Sequence, residues 1–347
     1  MKLQSVLAGA AAVALVAVAG SPANAQKYEW TFQTSAQAGD NFFKIEQNWA
    51  DTVEEMSDGR ISIEILPVGA VVAHNETLSA VGSGILQGHI TDPSYFSGKD
   101  PAFAMLGNLV GAWSDPDQML KFMNYGGGDE LFNELMEPYG VHHIGSAATG
   151  LEAFLSTKPV KGVDDLEGLK MRAPEGMVQE VFAKAGASPV NLPGSEVYTS
   201  LEKGVIEASD YTVFSTNHEL GMHEFANYPI YPGFHSLPVV EVGINKQVWD
   251  KLPQDLKTIL EVSVRDFARD MVSKLEMADA KAVAEAKADP DITVVDWPAE
   301  ERAKFREIAR GVWKDYAKRS EMAGKVYERV TEHMREVGLL KQQTASN

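Results

Sequence analysis

Residues Asp164–Thr212 read DDLEGLKMRAPEGMVQEVFAKAGASPVNLPGSEVYTSLEKGVIEASDYT. The turn at Asp164–Gly168 launches a short apolar run, "KMRA", that reads as a strand. "EGMVQEVFAKAGA" follows with apolar residues at helical spacing and ends at a glycine. "SPV" is extended, Glu196–Leu201 reads as a helix, and "IEASDY" reads as a further strand. Strand, helix, strand, helix, strand is the order of an α/β unit with a parallel sheet. The stretch holds one arginine, Arg172, at the end of its first strand. In open α/β sheets, ligands bind beyond the carboxyl ends of the strands.

The same order recurs upstream. "YEWTFQT" (Tyr28–Thr34) alternates and is aromatic, "AGDNFFKIEQNWADTVEEMSDGR" is an amphipathic helix, and "ISIEILP" (Ile61–Pro67) alternates again. "HNETLSAVGSGILQGHITDPSYF" reads as helix, glycine break, the short strand "GHIT" and a loop. Strands are also expected at "HHIGSA" and "EAFLST". Two α/β blocks therefore predict two lobes. "YPIYPGFHSLPVVEVGINKQVWDKLP" reads as extended chain returning from one lobe to the other, and the sequence after Pro253 is nearly all helix. The division expected is lobe I over residues 26–148 and about 237–270, and lobe II over 149–236 with part of 271–347 and the C-terminal helices.

The first 25 residues carry a cationic start (Lys2), an apolar run from Val6 to Ala19 and small residues ending Ala23-Asn24-Ala25, the pattern of a secretory leader cleaved after Ala25. The run is short for a membrane span. The expectation is a protein free in the periplasm, not embedded in a membrane. The 347 residues are 44% hydrophobic, enough for a sizeable core, and carry a formal charge of −18, which argues against nucleic acid and anionic lipid as partners. There is no cysteine, so disulfides and a lipid-attachment cysteine are excluded. "NYGGGDE" lacks the Lys-Ser/Thr of a phosphate loop, and no G-x-S-x-G hydrolase elbow is present. His218 and His223 are five apart, which does not put both on one helix face. His142 and His143, being adjacent in a strand, point to opposite faces. Zinc is not expected.

Four stretches, "LEGLKMRAPEG", "LPGSEVYTSLEKGVIEASDY", "GKDPAFAML" and "VGINKQVWDKLP" with its helical tail, resemble the solute receptors of TRAP (tripartite ATP-independent periplasmic) transporters, the DctP family. The resemblance implies two α/β lobes joined by crossing strands and a long hinge helix, closing over a small carboxylate. "GKDPAFA" and "YPIYPG" are most similar to receptors for 2-keto acids and lactate. It also implies that Arg172 clamps the ligand carboxylate, whose geometry matches the two parallel donors of a guanidinium. Glu152 stands where the keto-acid and lactate receptors have a glutamine that helps hold metal and substrate. As a carboxylate it can bind a cation, pair with Arg172 or accept from a ligand hydroxyl. Asp210 is a possible oxygen ligand for Ca²⁺ or Na⁺, and Tyr211 an aromatic wall with a hydroxyl. His235 falls where relatives place a third metal ligand, but a histidine suits a hard cation poorly. It is read instead as lining the ligand, and Phe234 next to it as packing on the ligand. Tyr95 and Phe96, adjacent on a loop, are expected to place at least one ring in the cleft. Gln33, Thr34 and Ser35 read as strand capping.

The function expected is a receptor that binds a 2-keto, 2-hydroxy or hydroxylated aromatic acid and passes it to membrane permease subunits. No cofactor is required, though a Ca²⁺ or Na⁺ ion at Glu152 and Asp210 fits the pattern. The competing readings are a secreted enzyme using Glu152 and Asp210 as an acid–base pair, and a receptor feeding a sensor. The tail leaves monomer and homodimer equally open.

Overall fold

The structure, a computed structural model, describes residues 27–341; the leader expected over residues 1–25 lies outside the described residues. The chain runs β1 (Tyr28–Thr34), α1 (Asn41–Met56), β2 (Ile61–Leu66), α2 (Thr77–Ser83), β3 (Gly88–Thr91), α3 (Ala102–Gly107), α4 (Pro116–Tyr125), α5 (Gly128–Met136) and β4 (Val141–Ala148). It continues with β5 (Leu155–Ser156), β6 (Lys170–Arg172), α6 (Met177–Lys184), β7 (Ser188–Val190), α7 (Val197–Glu202), β8 (Ala208–Ser209) and α8 (Phe214–Glu219). The last part is β9 (Val239–Asn245), α9 (Lys246–Lys251), α10 (Gln254–Ala288), α11 (Ala299–Tyr316) and α12 (Glu321–Glu336).

These elements build two sheets, one ordered β2-β1-β3-β9-β4 and the other β5-β8-β6-β7. In the first, β1 pairs parallel with β2 and β3, as the sequence order predicts, but β9 lies antiparallel to both β3 and β4. The reason is connectivity, because β9 re-enters the sheet from the second one. The strands expected at "EAFLST" and "IEASDY" shrink to two residues each. Their remaining backbone groups bond elsewhere: the Glu152 amide donates to the Ser236 carbonyl at 2.9 Å and the Asp210 amide to the Arg172 carbonyl at 3.1 Å.

Local chemistry fixes the helix starts. Asp40 caps α1 by accepting from the Phe43 amide at 2.8 Å, and Asp115, before Pro116, caps α4 from Gln118 at 3.0 Å. One face of the first sheet packs on α1 and α10, with Trp49 donating to Ser263 at 3.0 Å and its ring 5.8 Å from Phe267. Each such buried aromatic contributes roughly 1.5–3 kcal/mol through area removed from water. The 35-residue α10 then runs on to α8, where Asp279 accepts from the Ser215 amide at 2.7 Å. It therefore contacts both sheets' surroundings and is the spanning helix that the family resemblance implies. In the tail, α11 packs on α6, and α12 packs on α3 and α5.

The first sheet also buries a charged network. Glu241 on β9 lies 2.8 Å from His89 Nε2 on β3 and 3.1 Å from His143 Nδ1 on β4, and His143 Nε2 lies 3.1 Å from Asp129. Burial alone pushes the His143 pKa down, but its bonds to Asp129 and Glu241 reverse this and raise it to about 9. Burial likewise pushes Glu241 up, and the two histidines outweigh it and hold it below the ordinary carboxylate value. Gly243 leaves the space this network fills, since a Cβ there would stand 2.6 Å from His89 Nε2 and 2.8 Å from Glu241 Oε1.

Candidate functional site: an acidic cleft around one arginine

The two crossing segments, the one leaving β4 and the one entering β9, run side by side. Gly233 makes their approach possible, because a Cβ there would meet the Glu152 carbonyl oxygen at 2.1 Å. This pairing sets Glu152 beside His235, and β8 delivers Asp210 to the same point. A cavity of about 110 Å³ opens there, lined by Glu152, Arg172, Asp210 and Tyr211 from one side and by Ser35, Gln37, Glu46, Asp92 and Tyr95 from the other. Gln37 Nε2 donates to the Tyr211 hydroxyl at 2.8 Å and so bridges the two sides.

Arg172 ends β6 and is 5% exposed. Its Nε donates to the Leu192 carbonyl at 3.0 Å and its Nη1 to the Asp210 carbonyl at 2.6 Å. Tyr211 lies under the guanidinium at 5.7 Å. Among the described residues no carboxylate oxygen comes within 4.0 Å of it. Backbone carbonyls thus orient the guanidinium, and Glu152 does not pair with it directly.

Asp210 is 1% exposed, and its Oδ1 sits 2.6 Å from His235 Nε2. Burial pushes its pKa up, but His235, Glu152 and Arg172 together bring it below the ordinary value. Glu152 moves the opposite way: burial first, then the Asp210 charge, raise it well above the ordinary range. The two carboxyls are pushed apart, Asp210 toward the anion and Glu152 toward the acid. Glu152 Oε2 has no hydrogen-bond partner.

Donor atoms of Glu152, Asp210 and His235 all lie within 4.8 Å of one another. The two carboxylates suit a hard cation, and the unpartnered Glu152 oxygen is available to one. His235 serves better as the group that fixes Asp210 than as a ligand.

Of the residues picked out in the sequence, Arg172, Glu152, Asp210, Tyr211 and Tyr95 line the cavity. His235 stands behind Asp210, 1% exposed, and does not line the cavity, which corrects its reading as a lining residue: its ring is turned to Asp210 instead. Phe96 and Phe234 do not reach the cleft, which corrects their assignment to it. The turn at Pro93–Phe96, capped by Asp92, sends Tyr95 outward and Phe96 inward, where it stacks on His89 at 5.7 Å. Phe234 stacks on Trp297 at 3.9 Å and meets Phe305 edge-on at 5.0 Å, so it is core. Gln33 does cap, its amide bonding Val71 and Val72. His218 and His223 share no helix face, yet their Nδ1 atoms lie 3.0 Å apart because the chain reverses after α8.

Sequence reading missed Glu46, Asp92 and Asn108. Asp92 is buried, which pushes its pKa up to about 6 although Ser94 bonds it. Its signal was position, just past the end of β3. Glu46 sits within the apolar stripe of Phe42, Phe43, Trp49 and Val53, and a lone carboxylate in such a stripe was the clue.

Two α/β sheets, crossing strands, a spanning helix and a cavity between them that holds one buried arginine define a two-lobed solute-binding protein. Residues 32–319 match the model of the bacterial extracellular solute-binding protein family 7, DctP, and the chain belongs to that family. It resembles the crystal structure of a TRAP periplasmic solute-binding protein from Rhodobacter sphaeroides, described as apo and open, at 50% identity. That match covers 91% of this chain and 100% of the other, with a TM-score of 0.77. One from Pseudoalteromonas atlantica, with bound sodium and pyruvate, is 28% identical over 90% of this chain and 96% of its own, TM-score 0.81. A monocarboxylate 2-oxoacid-binding periplasmic protein of Nostoc sp. is 26% identical over 86% of this chain and 82% of its own. Among the described residues no helix is long and apolar enough to cross a membrane.

Proposed function

We propose that this chain is a periplasmic receptor that closes over a small organic carboxylate and presents it to TRAP permease subunits. The observation that carries the reading is Arg172: a buried guanidinium, braced by two backbone carbonyls and unpaired with any carboxylate, lining a cavity between two sheets. A ligand carboxylate supplies the missing counter-charge, and exclusion of water strengthens the pair. Lobe I, taken as residues 26–148 and about 237–270, and lobe II, built on residues 149–236, close as a hinge because the ligand touches both. The relatives that bind pyruvate or 2-oxo acids support a 2-keto or 2-hydroxy acid as ligand class. Glu152 and Asp210 would hold a sodium or calcium ion, which would offset their charge beside the ligand oxygens. Family membership supports a receptor without turnover.

The test is calorimetric titration of a carboxylate panel into the mature protein and into Arg172→Met, with and without calcium and chelator. Loss of a charged hydrogen-bonding partner for the ligand corresponds to about 2–5 kcal/mol, or roughly 30- to 5,000-fold in affinity. Arg172→Met binding a ligand of the native protein with equal affinity would refute the clamp.

A further inference from the structure

The cavity has a second pole that the carboxylate clamp does not use. Glu46 projects from α1 and is 3% exposed, with Oε2 lacking any hydrogen-bond partner. Asn108 ends α3 and is also 3% exposed, with Oδ1 lacking one. Both line the same cavity as Arg172, but from the first sheet's side. A buried acceptor left unpaired is costly, and natural structures retain few of them. Two facing one cavity point to a group that arrives with the ligand.

The chemistry of that group follows from the atoms. The Asn108 carbonyl oxygen can only accept, and a Glu46 carboxyl, protonated or not, always offers an accepting oxygen, so a donor on the ligand can bond both. Of the neighbouring carboxylates, Asp40 is occupied in capping α1 and Asp92 in capping the turn at Ser94. Thr216 Oγ1, also on the cavity, has no partner either. Among the described residues the one guanidinium of the lining is that of Arg172. A second carboxylate on the ligand would lie beside Glu46 and the Asn108 carbonyl with no second cation of the described lining to offset its charge.

We propose that Glu46 and Asn108 form a selectivity pole that admits monocarboxylates bearing a hydrogen-bond donor, a hydroxyl or an ammonium, at the end remote from Arg172. This rests on the carboxylate reading of the site and narrows it. A site built to bond a donor rejects the analogue that lacks one, because its own polar groups are left unpaired. A buried ionisable group kept against its cost to stability is also what a selective site requires.

The experiment is calorimetric titration of the mature protein with unbranched acids of two to five carbons, each as the unsubstituted acid, the terminal hydroxy acid and the terminal amino acid. At one chain length a donor-bearing acid is expected to bind at least about tenfold tighter than its unsubstituted counterpart. Glu46→Leu is expected to reduce that ratio to within about threefold and to raise the melting temperature of the ligand-free protein. Glu46→Gln separates the two donors: a hydroxyl keeps an acceptor oxygen there, whereas an ammonium loses its counter-charge. If Glu46→Leu does not fold, Asn108→Ala carries the same test, with the ratio reduced. Equal binding of donor-bearing and unsubstituted acids at every length, with all of it lost in Arg172→Met, overturns the selectivity pole and leaves the clamp standing. A ratio unchanged in the folded Glu46→Leu protein overturns it too. Failure of every acid to bind, or binding that survives Arg172→Met, overturns the carboxylate reading itself and this inference with it.

Discussion

His143 should make the fold lose stability as the solution turns alkaline. Its ring is buried between Asp129 and Glu241, with both nitrogens 3.1 Å from a carboxylate oxygen. The folded protein holds the imidazolium proton up to about 9, against 6.5 for the unfolded chain. Below pH 6.5 both states are protonated and the full contribution is present. Between 6.5 and about 9 the unfolded chain has released its proton while the folded one keeps it, so stability falls with rising pH. Above about 9 the contribution is gone. The gap corresponds to about 3 kcal/mol, lost at a slope of up to ~1.4 kcal/mol per pH unit. His142 and His223 do not blur the window. Burial first, then neighbouring charge, lowers them to about 4 and about 3, so their contribution is complete above 6.5 and is lost only as pH falls toward those values. The carboxylate of Glu241, held low, is likewise constant there. Urea unfolding of the native protein and His143→Gln at constant ionic strength, from pH 6 to pH 9.5, reads the difference directly. The native protein should lose about 3 kcal/mol more than the variant across that range. Parallel loss in the two proteins would show that His143 does not hold its proton in the fold.

Gly243→Ala should destabilise the protein by about 1–3 kcal/mol, because the new methyl must displace His89 or Glu241 from a site with no spare volume. Chemical denaturation measures it, and an unchanged midpoint would mean that the network can shift at no cost. Tyr211→Phe removes the hydroxyl that accepts from Gln37 across the cleft. At about 1 kcal/mol for one neutral hydrogen bond, the ligand-free population should move about fivefold toward the open form. Small-angle scattering or a fluorescence pair across the cleft would detect this, and an unaltered population would rule out the bond as a latch.

The sequence showed the parts whose signals are local. The order of β1, α1 and β2 follows from periodicity, as does the α/β unit from β6 to β8, and Arg172, Tyr95 and Tyr211 fall at or just past strand ends, where lining residues belong. It did not show pairings made at long range. Glu241 and His143 are 98 residues apart and meet only because β9 returns antiparallel beside β4. Sequence neighbourhood puts Phe96 and Phe234 in the cleft; this fails for Phe96 because a tight turn sends it and Tyr95 in opposite directions, and for Phe234 because Trp297, far along the chain, stacks on it. Glu46 was visible as a charge within an apolar stripe, but its meaning needed the cavity it faces.

The electrostatics of the cleft also change sense with distance. Far from the protein, a formal charge of −18 repels a small anion. Inside, burial raises Glu46, Asp92 and Glu152, so each opposes an entering anion less than an exposed carboxylate would. Asp210, the carboxylate that stays low, is turned toward His235. Arg172 is bonded to carbonyl dipoles, which orient a cation without neutralising it. Pairing it with one of those carboxylates would have stabilised the empty cleft and removed the reason for an anion to enter. Its attraction therefore acts at short range, on an anion that has already reached the cavity, and it is strongest when the cleft is closed and dry.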